Sequence, residues 1–453
     1  MKTVLIANRG EIACRVIRSC QALGLRTVVV HSDPDTQSRH VEMADQRVSL
    51  GGSSAAESYL RADAVLEAAR SSGADAIHPG YGFLAENENF AAAVEGAGLI
   101  WVGPTPASIA DMGDKERARM LARAAGVPVL PGSNRFRPGE LDGLGAAADE
   151  VGYPLLVKAA AGGGGIGMRR VDRPEDLQAA VESTQGMAAR AFGDGTVYLE
   201  RYIARARHVE VQVFGFGDGD AIHAHERDCS IQRRFQKIIE ESPAPGLSQD
   251  TLQAMYSAAV ALCRQERYRG AGTVEFVLDA HTHEFFFLEM NTRIQVEHPV
   301  SEMVSGLDLV GMQLQLAAGQ MPQPRTQDGV HVRGHAIECR LYAERPAKGF
   351  LPSTGLLTRL DLPPTDSTLR IESGVRNGDR ISHHYDPMIA KFIAHGADRE
   401  QAIARLIDAI DAVRIEGVET NLAFLRRTLE HPAFRMGELS TGFVDQYKPE
   451  LIA

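Results

Sequence analysis

Short apolar runs alternate with amphipathic stretches from the first residues onward. Val4-Leu5-Ile6-Ala7 reads as a buried strand, Glu11 to Leu23 as a helix closed by Gly24, and Thr27-Val28-Val29-Val30 as the next strand. A helix from Arg61 to Arg70, a strand from Ala74 to His78, a helix from Glu88 to Glu95 and the run Ile100-Trp101-Val102 continue the alternation. Such repetition predicts a doubly wound α/β layer at 1–113, with a charged helical connector at 114–130. Residues 131–203 hold Tyr153-Pro-Leu-Leu-Val-Lys158, a glycine run and the strand Val197-Tyr198-Leu199-Glu200, which predicts a small separate lid. The remainder, 204–453, opens on the alternating strand His208 to Phe214 and ends in helices after Arg399. Its stretch Glu400 to Val413 carries Asp, Glu and Arg on the polar face, the pattern of a core-facing helix and not of a membrane-bound one.

Length and charge narrow the function classes. A chain of 453 residues exceeds the size at which one core stops growing, so several subdomains are expected. With 44% hydrophobic and 24% charged residues, the composition is that of a folded enzyme. Lys and Arg total 48 against 59 Asp and Glu, a balance of −11. That excess disfavours non-specific attraction to nucleic acid or to an anionic membrane, and any phosphate ligand must meet a local cationic site. The five cysteines fall in no CxxC spacing, which predicts reduced thiols without a disulfide framework or zinc knuckle. No secretory signal pattern follows Met1 and no apolar stretch reaches ~18 residues, so a cytoplasmic location is the expectation.

The first βα turn, Asn8-Arg9-Gly10-Glu11, has one glycine where a dinucleotide fingerprint needs three, so the layer reads as scaffold. Lys158 followed by Gly162 to Gly167 fits a phosphate-covering loop: the lysine supplies a charge and side-chain-free residues expose backbone N–H groups. No Gly-Lys-Ser/Thr follows, so it is not a P-loop, and a solvated flexible loop is the alternative. In Phe285-Phe-Phe-Leu-Glu289-Met-Asn291-Thr-Arg293-Ile-Gln295-Val-Glu297-His-Pro299, strand alternation puts Glu289, Asn291, Arg293, Gln295 and Glu297 on one face. Carboxylate and amide oxygens at its start suit Mg²⁺ held with phosphates, and the cation, amide and carboxylate further on suit a small oxyanion. Glu275 offers a second carboxylate. The alternative is a salt-laced edge strand, against which stand the apolar run Phe285 to Leu288 and the closing proline.

Several long motifs then resemble biotin carboxylase, the ATP-grasp component of biotin-dependent carboxylases. They are Ile6-Ala-Asn-Arg-Gly-Glu-Ile12, His78-Pro-Gly-Tyr-Gly-Phe-Leu-Ala-Glu-Asn87, Met112-Gly-Asp-Lys115, Arg207-His-Val-Glu-Val-Gln212, Glu226-Arg-Asp-Cys-Ser-Ile-Gln232, Glu289 to Pro299 and Gly334-His-Ala-Ile-Glu-Cys-Arg340. The likeness runs to about Asn421, and implies a Rossmann-like N-terminal domain, an ATP-grasp lid and an ATP-grasp core with a C-terminal domain. Residue by residue, it implies that Lys115, Lys158, Gly163, Gly164, Gly165, His208 and Gln232 contact ATP, with adenine at the hinge Glu200, Arg201, Tyr202 and Ile203. Glu275, Glu289 and Asn291 would hold Mg²⁺ or Mn²⁺, the two glutamates also counting among the ATP contacts. Lys237, Arg293, Gln295 and Val296 would bind bicarbonate, Glu297 would be its general base, and Arg340 would stabilise the biotin enolate near Tyr81 and Asp386.

The implied reaction is ATP-dependent carboxylation of carrier-bound biotin through carboxyphosphate, the first half-reaction of an acyl-CoA carboxylase of the kind used in fatty acid metabolism. Alternatives are another ATP-grasp ligase joining a carboxylate to an amine, or a noncatalytic nucleotide-binding relative. The chain has no Ala-Met-Lys-Met hairpin and no transferase segment, so the expected partners are a separate biotin carboxyl carrier protein and a carboxyltransferase subunit. The resemblance also implies a homodimer. Three positions depart from the family's habit: Ile166 for Arg or Lys in the lid, Phe235 for His, and Arg201 for the hinge Lys. His383-His384 reads as loop surface and Trp101 as core or interface.

Overall fold

Strands Thr3–Ile6 (β1), Arg26–His31 (β2), Gln46–Ser49 (β3), Ala76–His78 (β4) and Ile100–Trp101 (β5) build a parallel sheet in the order β3-β2-β1-β4-β5. Every step is a crossover, the doubly wound arrangement that the alternation predicts. Strand β3 carries no apolar run and is absent from the sequence reading. Helix Gly10–Ala22 (α1) buries Ile12, Ala13, Val16, Ile17 and Cys20, positions spaced to fall on one side of a helix. Gly24 ends it at φ 68°, and the Leu25 amide returns to the Cys20 carbonyl at 2.8 Å. The computed structural model describes residues 1–160 and 167–452.

A three-stranded antiparallel sheet, Leu155–Ala159 (β6), Met168–Val171 (β7) and Val197–Arg201 (β8), forms the second unit in the order β7-β6-β8. Its own small core joins Leu155, Val157 and Leu199 to Val181 of helix Leu177–Phe192.

The largest element is an eight-stranded antiparallel sheet. It runs from Phe285–Asn291 (β13) through Arg269–Asp279 (β12), Ala206–Phe216 (β9), Ala221–Arg233 (β10), Gln236–Ser242 (β11) and His335–Tyr342 (β14) to the strands Met388–Gly396 and Leu369–Ser373. Helices Gln249–Gln265 and Arg399–Ala412 cover it with apolar faces. Gly215 of β9 is required by close approach: a Cβ there would sit 2.1 Å from the Tyr268 carbonyl oxygen. The Arg399–Ala412 helix buries Ala402, Ile403, Leu406 and Ile410, the core-facing role that its mixed polar face predicts. All five cysteines are buried and free, Trp101 is buried, and no helix among the described residues is long and apolar enough to cross a membrane.

Candidate active site

Strand registry places four charged side chains in one row. Glu289 of β13 lies opposite Glu275 of β12, which lies opposite Glu210 of β9, which lies opposite Arg227 of β10. Glu275, Glu210 and Arg227 are buried and Glu289 half-buried, so the inner charges of the row need partners. Arg227 has them: its guanidinium donates to Glu210 Oε1 at 2.6 Å, Gln212 Oε1 at 2.7 Å, Ser301 Oγ at 3.0 Å and Thr273 Oγ1 at 3.2 Å.

Lys237, at the start of β11, closes the row. Its ammonium donates to Glu210 Oε2 at 2.6 Å, Glu275 Oε1 at 2.8 Å and Glu297 Oε1 at 2.7 Å. Burial alone would drive the proton off Lys237, but the three carboxylates outweigh it and hold the lysine well above its usual range. Burial likewise works against ionised Glu297, and Lys237, Arg340 and Arg227 together overcome it, so Glu297 stays a carboxylate far below the ordinary range. Arg340 Nη2 donates to the other oxygen, Glu297 Oε2, at 2.9 Å.

The predicted five-residue face requires correction. Strand β13 ends at Asn291, and residues 292–297 turn out of the sheet, with Glu297 at the N-terminal boundary of helix His298–Ser305. Pro299 sits in the first turn of that helix, where its missing N–H and fixed φ suit a helix start. The polar side chains meet all the same. Arg293 donates to Asn291 Oδ1 and to Gln295 Oε1, both at 2.8 Å, and to Glu86 Oε2 at 2.8 Å. Gln295 and Asn291 donate to Glu275 Oε1 at 3.1 and 2.9 Å. Backbone carbonyl oxygen of Val296 accepts from Lys391 at 2.6 Å.

Two cavities flank this cluster. One, of about 510 Å³, is lined by Glu11, Tyr81, Gln236, Val296, Arg340 and Asp386 among others. Tyr81 donates to Glu11, and the Asn8 amide holds the Pro79 and Tyr81 carbonyls at 2.7 Å each. His383, exposed, and His384, half-buried, lie in a loop as the sequence reading has them, and that loop also borders the cavity, with Tyr385 donating to Ser32 Oγ at 2.7 Å. The other cavity, about 370 Å³, is lined by Lys158, Glu200, Arg201, Tyr202, Ile203 and Leu288 and closed by Ser440 to Gly442. Lys158 and Arg119 both donate to Glu200.

His208 joins the second cavity's side of the cluster to the row, its Nε2 3.0 Å from Glu275 Oε2 and its Nδ1 2.8 Å from the Gln232 amide nitrogen. Burial lowers its basicity, but Glu275 more than restores it. Lys115, exposed at the start of helix Lys115–Ala124, acts electrostatically on Glu289. Gly163, Gly164, Gly165 and Ile166 lie outside the described residues. Phe235 is 70% exposed in the two-residue turn between β10 and β11, where Arg234 and Phe235 both take positive φ, 49° and 67°.

For a hard dication the donor chemistry fits. Burial, and next the neighbouring charge of Glu275, raise the Glu289 carboxyl above its usual range, and Asn291 adds an amide oxygen beside them. Among the described residues two sets of ligand atoms lie within 4.8 Å of one another, His208 with Glu210 and Glu275, and Glu210 with Cys229 and Glu297, so only Glu275 is common to them and the predicted trio. Glu210, Arg227 and Glu11 are site residues that the sequence reading did not single out. The alternation His208-Val-Glu210-Val-Gln212 carried the signal, a strand with a wholly polar second face.

Comparison with known proteins matches residues 1–109 to the biotin carboxylase N-terminal domain, 114–323 to the carbamoyl-phosphate synthase L chain ATP binding domain, and 338–446 to the biotin carboxylase C-terminal domain. The chain is 48% identical over 450 residues to the mitochondrial methylcrotonoyl-CoA carboxylase subunit alpha of Dictyostelium discoideum, covering 99% of this chain but 64% of that one. It is 46% identical over 447 residues to biotin carboxylase 1 of Bacillus subtilis, covering 99% of both. In structure it is similar to the biotin carboxylase domain of Hydrogenobacter thermophilus 2-oxoglutarate carboxylase, solved as a dimer with MgADP, ADP and bicarbonate. The TM-score is 0.90 at 41% identity, with 99% of this chain and 98% of that one covered.

Proposed function

As the chain belongs to the biotin carboxylase family, we propose that it uses ATP to carboxylate carrier-borne biotin with bicarbonate, by way of carboxyphosphate. The observation that carries this is the buried Glu297 carboxylate, gripped by Lys237 at 2.7 Å and Arg340 at 2.9 Å beside a cavity wide enough for a bicyclic ligand. Bicarbonate is a weak nucleophile whose remaining proton must leave as it attacks the γ-phosphoryl group. Lys237 and Arg293 hold the anion, Gln295 and the Val296 backbone orient it, and Glu297, ionised before the anion arrives, takes the proton. The cavity lined by Lys158 and by Glu200 to Ile203 receives the nucleotide, and His208, Gln232 and Lys115 would meet its phosphates. A Mg²⁺ or Mn²⁺ ion held by Glu275, Glu289 and Asn291 would neutralise phosphate charge. At the other cavity Arg340 faces the ureido oxygen of biotin, offsetting charge that develops when the ring nitrogen loses its proton, and Tyr81 borders the ring.

The same reading divides the chain into an N-terminal layer at 1–113, a helical connector at 114–130, a lid over ATP at 131–203 and the remainder at 204–453. It names a biotin carboxyl carrier protein and a carboxyltransferase acting on an acyl-CoA as partners, a homodimer as the working form, and the cytoplasm as its place. The methylcrotonoyl-CoA carboxylase likeness supports the acyl-CoA branch, and five unpaired cysteines support a reducing compartment. Purified protein given ATP, Mg²⁺, bicarbonate and free biotin is expected to release phosphate in a biotin-stimulated, bicarbonate-dependent manner. A requirement for an amine, or nucleotide binding without turnover, overturns the proposal.

A further inference from the structure

Beyond Lys237 along β11, Glu240 stands directly opposite Glu338 of β14. Both are fully buried, at 0% exposure. Neither carboxyl makes a side-chain hydrogen bond among the described residues, but Glu240 Oε1 lies in ion-pair contact with Arg340 Nη2 at 2.5 Å, and Glu338 has no such contact there. That same nitrogen is 2.9 Å from Glu297 Oε2, so one guanidinium edge is drawn by two carboxyls from different elements. Two further cations act on the pair: Lys237, held by Glu210, Glu275 and Glu297, acts on Glu240, and Lys391, opposite Arg340 on the strand Met388–Gly396, acts on Glu338 with its ammonium committed to the Val296 carbonyl at 2.6 Å and Glu11 Oε1 at 3.1 Å.

Burial and the like charge across one rung of the ladder together oppose ionisation of both carboxyls at once. We propose that Glu240 and Glu338 share one proton, carried by Glu338, and that they position Arg340: the Glu240 carboxylate draws the guanidinium to its side of Glu297, leaving the remaining N–H groups of Arg340 for the ligand in the adjoining cavity. Burial, the largest influence on each, agrees in direction: it raises Glu240 to about 7 against the pull of Arg340, and raises Glu338 well above the carboxylate range against that of Lys391. Glu338 is the member without a cation at hydrogen-bond distance, so the proton belongs there.

The inference rests on Arg340 being the biotin-facing cation, and its test separates the two. Difference infrared spectra of the purified full chain at neutral pH are expected to show the carbonyl stretch of a protonated carboxylic acid that Glu338→Gln removes. In biotin-stimulated phosphate release, Glu240→Gln should raise the KM for free biotin about tenfold with a smaller change in kcat, the scale of one hydrogen bond to a charged group. Glu338→Gln, which puts a neutral amide where the pair keeps a neutral acid, should raise that KM less. Loss of no carbonyl band, or equal KM increases in the two variants, overturns the pair. A wild-type protein without biotin-stimulated turnover instead defeats the reading of function, while the infrared band still decides the pair.

Discussion

Glu297 is both the most constrained and the most exposed to test of the site residues. It is a fully buried carboxylate that Lys237 and Arg340 hold ionised, so Glu297→Gln removes the carboxylate, the proposed proton acceptor, while keeping its shape. Biotin-dependent turnover should fall by ~10²–10⁴, the range for loss of a general base, with ATP affinity measured by titration nearly unchanged. Phe235 tests a different point. Its side chain is 70% exposed two positions from Lys237, where the family's habit is a histidine. Phe235→His should tighten ATP about threefold to tenfold, the worth of roughly one hydrogen bond. Titration showing no gain would mean that the turn does not reach the phosphates here. Legibility at this scale was uneven. Lys158 and Glu289 to Glu297 declared themselves by residue type and spacing, but Lys237 and Arg340 were reached only through resemblance, because a lone cation in an apolar strand looks like any other. Glu210 and Arg227 were passed over because their partners come from other strands, and a partner across a sheet leaves no mark in local sequence.

Glu241 shows how an ion can fasten elements together. It sits on β11 and accepts from His335 Nε2 of β14 at 2.7 Å and from Arg399, at the start of the Arg399–Ala412 helix, at 2.6 and 2.9 Å. Burial would raise this carboxyl, but His335 and Arg399 prevail and bring it down to about 2. A depressed carboxyl adds stability above its unfolded value of about 4.3, and that stability fades as pH falls toward the folded value. Glu241→Gln should therefore cost about 3 kcal/mol in urea unfolding at pH 7, and the gap from wild type should narrow below about pH 4.5. A gap constant over pH 3–7 would assign the loss to packing. Elements with apolar periodicity, such as α1 and β2, were readable to within a residue or two. β3 was not, having only alternating Gln, Arg, Val and Ser, and the row ending at Glu297 was read as one strand because alternation says nothing of where pairing stops.

Across the molecule, first and last segments share one cavity. Gly374 packs so tightly on the start of α1 that a Cβ would lie 2.4 Å from the Glu11 amide nitrogen and 2.5 Å from the Gly10 carbonyl carbon. Gly374→Ala should cost about 1–3 kcal/mol by thermal or urea unfolding, the usual penalty of overpacking. It should also shift Glu11 and with it Tyr81, raising the KM for biotin; an unchanged KM with lowered stability would confine the effect to folding. The doubly wound layer was legible because its contacts are local, and the docking of residues near 374 on α1 was not, because it rests on one absent side chain.

That shared cavity has a consequence for how the protein is made. Asn8, Arg9, Glu11 and Ile12 form one wall and His383 to Met388 another, with Arg9 stacked 4.2 Å from the Tyr385 ring. Until residues 383–388 have been synthesised, the wall formed by Asn8 to Ile12 has no counterpart across the pocket. Competence arrives only when late-synthesised residues find early ones.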